Sequence, residues 1–312
     1  MKTLPKVLVT GAAGFIGSHT VDLLLAQGHE VIGVDNFRTG HAENLRAARG
    51  HPRWMFREQD CAAPGVLDAL AAETRPEAII HLAALVSVPE SIANPAENDR
   101  LNLHATRLVA AAARAHGVKR IVFASSAAVY GTNHDLPLTE DSACAPLSPY
   151  GLAKLESEKL LLGLSRAQGI TVRCQRYFNV FGPRQDPSSP YSGVISLFSR
   201  RLREGVPPTI HGDGEQSRDF IYVGDVAQAN LIAATARGLA SGVANICTGE
   251  AVSLNTLWAM LCTVLDRQLT PLHGPPRAGD IRHSLGAPGK AARDLDFRAT
   301  TPLVEGLKAL RA

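Results

Sequence analysis

Apolar residues in this chain occur in short runs that alternate with stretches of helical spacing. The first run, Val7 to Val9, is uninterrupted, as is typical of a central parallel strand covered on both faces. Later runs follow at intervals that leave room for one helix each. We predict strands over 7–9, 30–34, 54–57, 78–84, 121–126 and 170–176, and helices over 18–27, 64–74, about 95–116 and about 148–168. This alternation predicts an α/β fold with a doubly wound parallel sheet.

The pattern changes after about residue 180. A polar loop over 182–190 precedes a predicted helix over 194–204, and short elements between proline- and glycine-rich loops follow. We therefore predict two domains, one over 1–178 and a smaller mixed α/β lobe over 179–312. Residues of about 224–247 are expected to return to the first sheet.

Composition narrows the classes of function. The chain has 312 residues, of which 45% are hydrophobic and 20% charged, as in soluble globular proteins. The net charge is only +3 and no basic block stands out, so we expect no nucleic-acid partner. No run approaches the roughly 18 apolar residues that span a bilayer, so we expect no membrane partner. The chain enters a strand at once, which leaves no room for a signal peptide and predicts a cytoplasmic protein.

Cysteines and histidines give no sign of a metal site. The five cysteines are scattered, odd in number and form no Cys-x-x-Cys pair, so we expect reduced thiols. The histidines form no cluster with metal-ligand spacing. We therefore predict no bound metal.

A glycine-rich turn follows the first strand. Gly11 permits the sharp turn, Gly14 lets a pyrophosphate approach the backbone, and Gly17 lets the next helix pack on the strand. The N–H groups and positive dipole end of that helix then face the phosphates. The turn predicts a Rossmann-type sheet that binds a dinucleotide.

Acidic and small residues at the ends of later strands extend this prediction. Asp35 ends the second strand, 18 residues beyond Gly17, where a carboxylate binds a ribose 2′-hydroxyl and repels a 2′-phosphate. NAD is therefore preferred to NADP, although Arg38 nearby weakens the preference. Asp60 ends the third strand, where it could bind an adenine amine. The predicted cofactor-binding residues are Gly11, Gly14, Phe15, Ile16, Gly17, Asp35, Asn36, Asp60, Cys61, Leu82, Ala83, Ala84, Asn102, Tyr150, Lys154 and Phe178.

Ser126, Tyr150 and Lys154 are the candidate catalytic residues. Tyr150 and Lys154 are four residues apart in a predicted helix, so both side chains can reach one ligand. A free tyrosine is a poor base at neutral pH, but a nearby ammonium and a positive nicotinamide ring favour the phenolate. Tyr150 could then exchange a proton with an alcohol, while Ser126, at a strand end, binds the same hydroxyl. Lys154 could also hold the nicotinamide ribose.

The chain resembles the extended short-chain dehydrogenase/reductases over essentially its whole length. Within them it resembles the UDP-hexose 4-epimerases, and most of all the UDP-N-acetylglucosamine 4-epimerases. The motifs that carry the resemblance are residues 10–17, 81–84, 125–131, 149–154, 176–183, 218–225 and 277–280.

The resemblance implies an NAD that stays bound through the reaction. Tyr150 would take the proton of the sugar 4-hydroxyl while C4 passes a hydride to NAD⁺; the 4-keto sugar would then rotate and take the hydride back on its other face. The resemblance also implies that Asn179 and Arg218 hold the diphosphate, and that Arg277 and Asp280 hold the phosphate and uridine ribose. The predicted substrate-binding residues are Val86, Ser126, Tyr150, Asn179, Arg184, Val194, Arg218, Arg277, Asp280 and Ser284.

Two departures from related enzymes, one at an alanine pair and one at a serine, refine the expected reaction. Ala127 and Ala128 stand where sugar-nucleotide dehydratases carry an acid pair, so the acid and base that dehydration needs are missing. Ser284 stands where epimerases restricted to UDP-glucose carry a tyrosine, and it leaves room for an N-acetyl group. We therefore expect interconversion of UDP-GlcNAc and UDP-GalNAc, with UDP-glucose and UDP-galactose also accepted.

Two alternatives remain open at this point. In the first, the chain is a UDP-glucuronate 4-epimerase, because Arg184 could meet a C6 carboxylate. In the second, it is a non-catalytic NAD-binding regulator with the same fold. Family members commonly dimerise through the two long helices, so we also expect a homodimer.

Overall fold

The computed structural model describes residues 4–186, 193–276 and 281–311. The strands are β1 (Val7–Thr10), β2 (Val31–Asp35), β3 (Trp54–Glu58), β4 (Ala78–His81), β5 (Arg120–Ser126), β6 (Thr171–Tyr177), β7 (Asn179–Phe181), β8 (Thr209–His211), β9 (Ser217–Tyr222), β10 (Gly242–Ile246), β11 (Ala251–Ser253), β12 (Leu272–Gly274) and β13 (His283–Ser284). The helices are α1 (Phe15–Ala26), α2 (Val66–Thr74), α3 (Val88–Ala93), α4 (Pro95–Asp99), α5 (Ala105–Ala115), α6 (Pro149–Gln168), α7 (Val194–Glu204), α8 (Val223–Thr235), α9 (Leu254–Leu265), α10 (Gly289–Leu295) and α11 (Leu303–Lys308).

Seven strands form one sheet in the order β10-β6-β5-β4-β1-β2-β3, and every pairing in it is parallel. The chain runs from β1 through β2 to β3 and then returns to β4 on the other side of β1. The strand order therefore reverses between β1 and β4, which leaves a crevice at the carboxyl ends of these strands. The predicted fold class is confirmed.

Both faces of the sheet are covered, which explains the uninterrupted apolar run in β1. Val7 and Val9 are buried in a layer with α1 and α8, whereas Leu8 is buried in the opposite layer with α2, α5 and α6. Alternate side chains of a strand point to opposite faces, so a strand covered on both sides is apolar at every position.

The region predicted as one helix over about 95–116 differs in detail from the structure. It consists of α4, a π-helical turn over Arg100–His104 and α5, and the backbone stays helical throughout. A single π turn shifts the apolar spacing by only one residue, so the sequence pattern does not reveal it. Helix α3 is absent from the predicted set, although Ser87 caps it by accepting a hydrogen bond from the Glu90 N–H at 3.0 Å.

A second, smaller sheet contains β9 between β11 and β13, with β7 also paired to β9. Its core includes Phe198 and Trp258, whose rings meet edge to face with centroids 5.2 Å apart. Strand β7 follows β6 after the single residue Phe178, so Phe178 lies where the two sheets join. This junction brings the second lobe close to the carboxyl end of the first sheet.

Three further observations concern the described residues alone. None of their helices combines the length and apolarity needed to cross a bilayer. No three histidine, cysteine, aspartate or glutamate side chains among them are grouped so that they could hold a metal ion. All five cysteines are free thiols.

Candidate active site

A cavity of about 530 Å³ opens at the carboxyl ends of β1, β2, β4, β5 and β6, at the reversal of strand order. It brings together most of the predicted site residues. Those on its walls are Gly11, Gly14, Phe15, Ile16, Gly17, Asp35, Asn36, Asp60, Cys61, Leu82, Ala83, Ala84, Val86, Ser126, Tyr150, Lys154, Phe178 and Arg184.

The glycine turn packs so closely that a side chain could not replace Gly11 or Gly17. Gly11 has φ +70°, and a Cβ there would lie 2.7 Å from the backbone nitrogen of Ala83. A Cβ on Gly17 would lie 1.9 Å from the carbonyl oxygen of Gly11. Gly14 is the N-cap of α1 and no side chain caps the helix, so its first N–H groups can bind a ligand's oxygens. These residues fit the diphosphate of a dinucleotide.

Strand β5 and helix α6 hold the three candidate catalytic residues together. Ser148 caps α6 by accepting the Gly151 N–H at 3.2 Å, which places Tyr150 in the first helical turn. The Tyr150 phenol and the Ser126 hydroxyl both lie on the cavity wall, close enough for the hydroxyl to lower the pKa of the phenol. One turn later, the Lys154 Nζ atom donates to the Ala124 carbonyl oxygen at 2.8 Å. All three side chains therefore meet at the end of β5.

Burial governs the protonation of this site. Burial raises the pKa of Tyr150, and the nearby Ser126 hydroxyl offsets only part of that rise. Burial lowers the pKa of Lys154 to about 7, against the opposing charge of Glu158. The Tyr-x-x-x-Lys spacing predicted that the Lys154 ammonium favours the phenolate, but desolvation of the phenolate is the larger effect among the protein's own groups. Tyr150 therefore needs further positive charge in the cavity to act as a base.

Comparison with known proteins decides the family. The NAD dependent epimerase/dehydratase family matches residues 7–247 of the chain. This chain belongs to that family. Family membership confirms the resemblance seen in the sequence, and it identifies NAD as the cofactor that fits the glycine turn and cavity.

The similar proteins described here are named either UDP-glucose 4-epimerase or UDP-N-acetylglucosamine 4-epimerase. The UDP-glucose 4-epimerase of Mycolicibacterium smegmatis is 37% identical over 303 residues, which are 97% of this chain and 96% of that protein. The solved UDP-glucose 4-epimerase of Thermotoga maritima, with UDP-glucose, has a TM-score of 0.91 at 37% identity and covers 97% of this chain and 96% of its own. The solved UDP-N-acetylglucosamine 4-epimerase of Methanobrevibacter ruminantium, in complex with UDP-N-acetylmuramic acid, has a TM-score of 0.93 at 36% identity and covers 99% of this chain and 97% of its own.

The end of β2 has the features of an NAD site of this epimerase/dehydratase family. The Asp35 carboxylate accepts backbone N–H groups of Ala13 at 2.9 Å and Phe37 at 2.8 Å. Burial raises its pKa, and these backbone bonds oppose the rise. Arg38, which the sequence marked as a weakness in the NAD preference, forms an ion pair with Glu90 of α3. This pair neutralises a cation that could otherwise attract a 2′-phosphate.

Asp60, which is predicted to bind the adenine of the cofactor, forms an ion pair that the sequence did not indicate. Asp60 accepts a hydrogen bond from the Ala62 N–H at 2.8 Å, and its other oxygen pairs with Arg100 at 2.7 Å. Burial raises the pKa of the neighbouring Cys61 thiol to about 12, so the thiol is neutral. Asn102 is not on the cavity wall; its amide donates to the Leu85 carbonyl at 3.1 Å from the π-helical turn.

Several predicted substrate residues lie in the second lobe rather than on the cavity wall. Asn179 donates to the Asp219 carbonyl at 2.9 Å, and Val194 is the first residue of α7. Arg218 and Ser284 are register partners of β9 and β13. Arg277 and Asp280 lie outside the described residues, so the structure gives no position for them.

The loop that follows β7 contacts the cofactor side of the cavity, which the sequence indicated only as a long polar segment. Arg184 pairs with Asp22 of α1 at 2.7 Å, and the Pro183 carbonyl lies 2.9 Å from the His19 Nε2 atom. Asp186 lies on the cavity wall and pairs with His41 at 3.5 Å. No local pattern marks His19 or His41, because their partners are more than 140 residues away. Further wall residues outside the predicted set are Val34, Arg38, Thr39, His41, Gln59, Ala62, Leu101, Ala124, Ser125, Tyr177, Val180, Gln185 and Asp186.

Proposed function

We propose that this protein is an NAD-dependent 4-epimerase of UDP-hexoses that prefers UDP-GlcNAc and UDP-GalNAc and also accepts UDP-glucose and UDP-galactose. The observation that carries the proposal is that Ser126, Tyr150 and Lys154 lie together on the wall of the dinucleotide cavity, where the Ser126 hydroxyl lowers the pKa of Tyr150 and the Ala124 carbonyl holds Lys154. The epimerase names of the similar proteins support the same reaction class.

Each residue of the site has its own role in the proposed reaction. Tyr150 accepts the proton of the sugar 4-hydroxyl and later returns it, and Ser126 orients that hydroxyl by hydrogen bonding. NAD, when bound by the glycine turn and Asp35, supplies reversible hydride transfer at the sugar C4. Lys154 contributes positive charge beside Tyr150, since its Nζ atom lies 5.8 Å from the ring centre. Tyr150 and Lys154 are buried, which limits the access of water that could intercept an oxidised sugar.

Dehydration is the other reaction in the family's name. At Ala127 and Ala128, the chain lacks the acidic side chains that dehydration needs. Ala127 and Ala128 form the turn after β5, and the Ala128 N–H is hydrogen-bonded to the Ser126 hydroxyl at 3.2 Å. A Cβ on Gly151 of α6 would lie 2.8 Å from the Ala128 carbonyl oxygen, so this turn packs tightly on the catalytic helix. Neither alanine can supply the acid or base that removal of a 6-hydroxyl requires. Redox chemistry at C4 needs neither.

The preference for N-acetylated sugars rests on the size of Ser284. Two residues after it, Gly286 packs so closely that a Cβ there would lie 2.7 Å from the Phe178 ring, which lines the cavity. The 284–286 segment therefore backs the junction at which the sugar would bind. A serine in this segment leaves volume that an acetamide could use.

The charges near the cavity favour a neutral sugar over a uronic acid. One guanidinium nitrogen of Arg184 is already paired with Asp22 at 2.7 Å. Asp186, two residues later, adds a carboxylate to the same cavity wall. A substrate carboxylate would meet like charge there, which disfavours the UDP-glucuronate alternative.

Side-by-side assays test the proposal. UDP-GlcNAc, UDP-glucose and UDP-glucuronate are incubated separately with the purified holoenzyme, and the 4-epimers are measured by chromatography. We expect the highest kcat/KM with UDP-GlcNAc. Conversion of UDP-glucuronate alone would refute the substrate assignment, and no conversion of any of the three would refute the function. A Tyr150→Phe variant that retains the protein's cellular effect would instead identify a non-catalytic regulator.

We also propose that the protein is a cytoplasmic homodimer. Leu152 of α6 is 51% exposed and Ile92 of the adjoining α3 is 60% exposed, so apolar side chains lie on one surface beside the catalytic helix. The free cysteines suit a reducing compartment. Light scattering on the purified protein tests the dimer: a monomeric mass at micromolar concentration would contradict it.

A further inference from the structure

Three consecutive residues of β5 face three residues of α6 that are one helical turn apart. Lys154 donates to the Ala124 carbonyl, the Ser126 hydroxyl lowers the pKa of the Tyr150 phenol, and the Ser125 hydroxyl donates to the carboxylate of Glu158. The first two contacts belong to the candidate catalytic set. The third is buried in the same way but has no part in the chemistry described so far.

Glu158 forms a two-pronged ion pair with Arg176 of β6. The Arg176 Nε atom lies 2.9 Å from one carboxylate oxygen of Glu158, and its Nη2 atom lies 2.7 Å from the other. The side chains are only 3% and 5% exposed, so both charges are removed from water. This parallel geometry is the strongest form of an arginine–carboxylate contact.

Arg176 is itself fixed from the other side. Its guanidinium lies 4.8 Å from the ring centre of Tyr130, and the Tyr130 hydroxyl donates to the Asn245 side chain of β10 at 2.6 Å. Asn245 is in turn held through its N–H by the Glu140 carboxylate at 2.6 Å. The pair is therefore anchored to β5, β6, β10 and the turn after β5, and the position of α6 along β5 depends on it.

A buried ion pair is a weak source of stability, because desolvation offsets most of the attraction between the charges. Its position suggests another use. Glu158 is one helical turn from Lys154 and two turns from Tyr150, and Arg176 precedes Tyr177 and Phe178, which line the cavity. The pair thus places a fixed negative and a fixed positive charge beside the groups that must exchange protons.

We propose that Glu158 and Arg176 are positioning residues that fix helix α6 on strand β5 and set the pH range over which Tyr150 and Lys154 work. This inference rests on the proposed epimerase function, because it concerns the same two proton-exchanging groups.

The charged and titratable neighbours of these groups are few among the described residues. His81 of β4 faces Lys154; burial, and then the charge of Lys154, lower its pKa to about 3, so it is neutral. Cys174 of β6 and Cys144 face the Glu158–Arg176 pair, and burial raises the pKa of both thiols. Tyr130 also faces Arg176, and the Arg176 Nη1 atom donates to the Glu140 backbone carbonyl at 3.4 Å. Since the nearby histidine and thiols stay neutral at working pH, the charges that remain among these neighbours are those of Glu158 and Arg176.

Removing the Glu158 charge and removing the Arg176 charge should move the pH–rate profile in opposite directions. Glu158→Gln leaves the Arg176 cation uncompensated, which disfavours the protonated forms of Lys154 and Tyr150 and moves the pH–rate profile towards acid. Arg176→Gln leaves the Glu158 carboxylate uncompensated, which favours those protonated forms and moves the profile towards alkali. The double variant removes both charges, so its profile returns towards that of the wild type.

The experiment measures kcat and kcat/KM of the holoenzymes with the best UDP-sugar from about pH 6 to about pH 10. We expect shifts of at least about half a pH unit in opposite directions for the single variants, with kcat lowered about tenfold by the loosened helix. The matched control is Glu156→Gln, which removes a carboxylate from the same helix. This carboxylate pairs with Lys159 near the surface. This control should leave the profile unchanged.

Each outcome decides the proposal. Loss of kcat without a shift in both single variants, or shifts in the same direction, would mean that the pair has only a structural role. Arg176→Lys keeps the charge, so it tests the proposal if Arg176→Gln does not fold. The pH–rate profile of Arg176→Lys should match that of the wild type. A displaced profile would count against the proposal. Wild-type protein that converts no UDP-sugar would contradict the proposed function instead, which separates the two failures.

Discussion

The Nζ atom of Lys154 donates to the carbonyl oxygen of Ala124 at 2.8 Å, inside a site where burial lowers the lysine pKa to about 7. The strand thus holds the lysine in place with a neutral acceptor rather than with a carboxylate. A neutral acceptor leaves the ammonium charge available to the adjacent phenol and to the cofactor, which suits a group that must favour a phenolate.

Lys154 should make stability depend on pH. Its pKa in the folded protein is about 7, below its ordinary value of 10.5, so the unfolded chain binds more protons between these values. The free energy of unfolding should therefore increase as pH rises through this window, by up to about 1.4 kcal/mol per pH unit. Urea unfolding at several pH values, compared with Lys154→Met, measures this slope. An equal slope in the variant would contradict the low pKa.

Lys154→Met should also reduce turnover. Removing the ammonium takes away positive charge next to Tyr150, so kcat with the best UDP-sugar should fall about a hundredfold or more. Lys159→Met is the control, because Lys159 lies on the same helix and pairs with Glu156 near the surface. It should keep nearly full activity, and a similar loss in both variants would indicate damage to the helix rather than to the chemistry.

Gly17→Ala should abolish dinucleotide binding. A methyl group there would lie 1.9 Å from the Gly11 carbonyl oxygen, so α1 must move away from β1 and from the phosphate site. We expect little or no NAD released on acid denaturation of the purified variant. Gly163→Ala, in α6, is the matched control because nothing lies within 4 Å of its added methyl group. It should retain NAD and gain up to about 1 kcal/mol of stability.

Ser284→Tyr tests the basis of sugar preference. If the 284–286 segment adjoins the sugar, a phenol ring there should reduce kcat/KM for UDP-GlcNAc about a hundredfold while changing that for UDP-glucose less than about fivefold. His283→Tyr is the control, because neighbouring side chains of a strand point to opposite faces. Equal losses with both substrates in Ser284→Tyr would exclude a role in distinguishing them.

Asp35 and Glu90 should act together in the choice between NAD and NADP. Asp35→Ala removes the carboxylate expected at the ribose and should weaken NAD binding about tenfold. Adding Glu90→Gln releases Arg38 from its ion pair on the cavity wall, so NADP binding should improve beyond that of the single variant. Thermal shifts with each dinucleotide measure both effects. Glu73→Gln, which frees the exposed Arg57, should change neither.

The strand–helix alternation and the glycine turn could be predicted from the sequence alone, and so could the spacing that puts Tyr150 and Lys154 on one helix face near Ser126. Each of these depends on short-range properties: side-chain alternation along a strand, the conformational freedom of Gly11, and the four-residue spacing of a helix face. These properties depend on residues that are close in the sequence, so they can be predicted from the sequence. The π-helical turn at Asn102 was not predicted, because one wide turn barely alters the spacing of apolar residues.

Only the tertiary structure decided which distant side chains meet. Glu158 pairs with Arg176, Arg184 with Asp22, and His41 with Asp186, although nothing near any of these residues in the sequence marks its partner. The balance at Tyr150 was likewise decided by burial, which depends on how α6 packs on β5 and not on the Tyr-x-x-x-Lys spacing. The physical reason is the same in each case: electrostatic pairing and desolvation are set by the path of the whole chain, whereas secondary structure is set mainly by local sterics and periodicity.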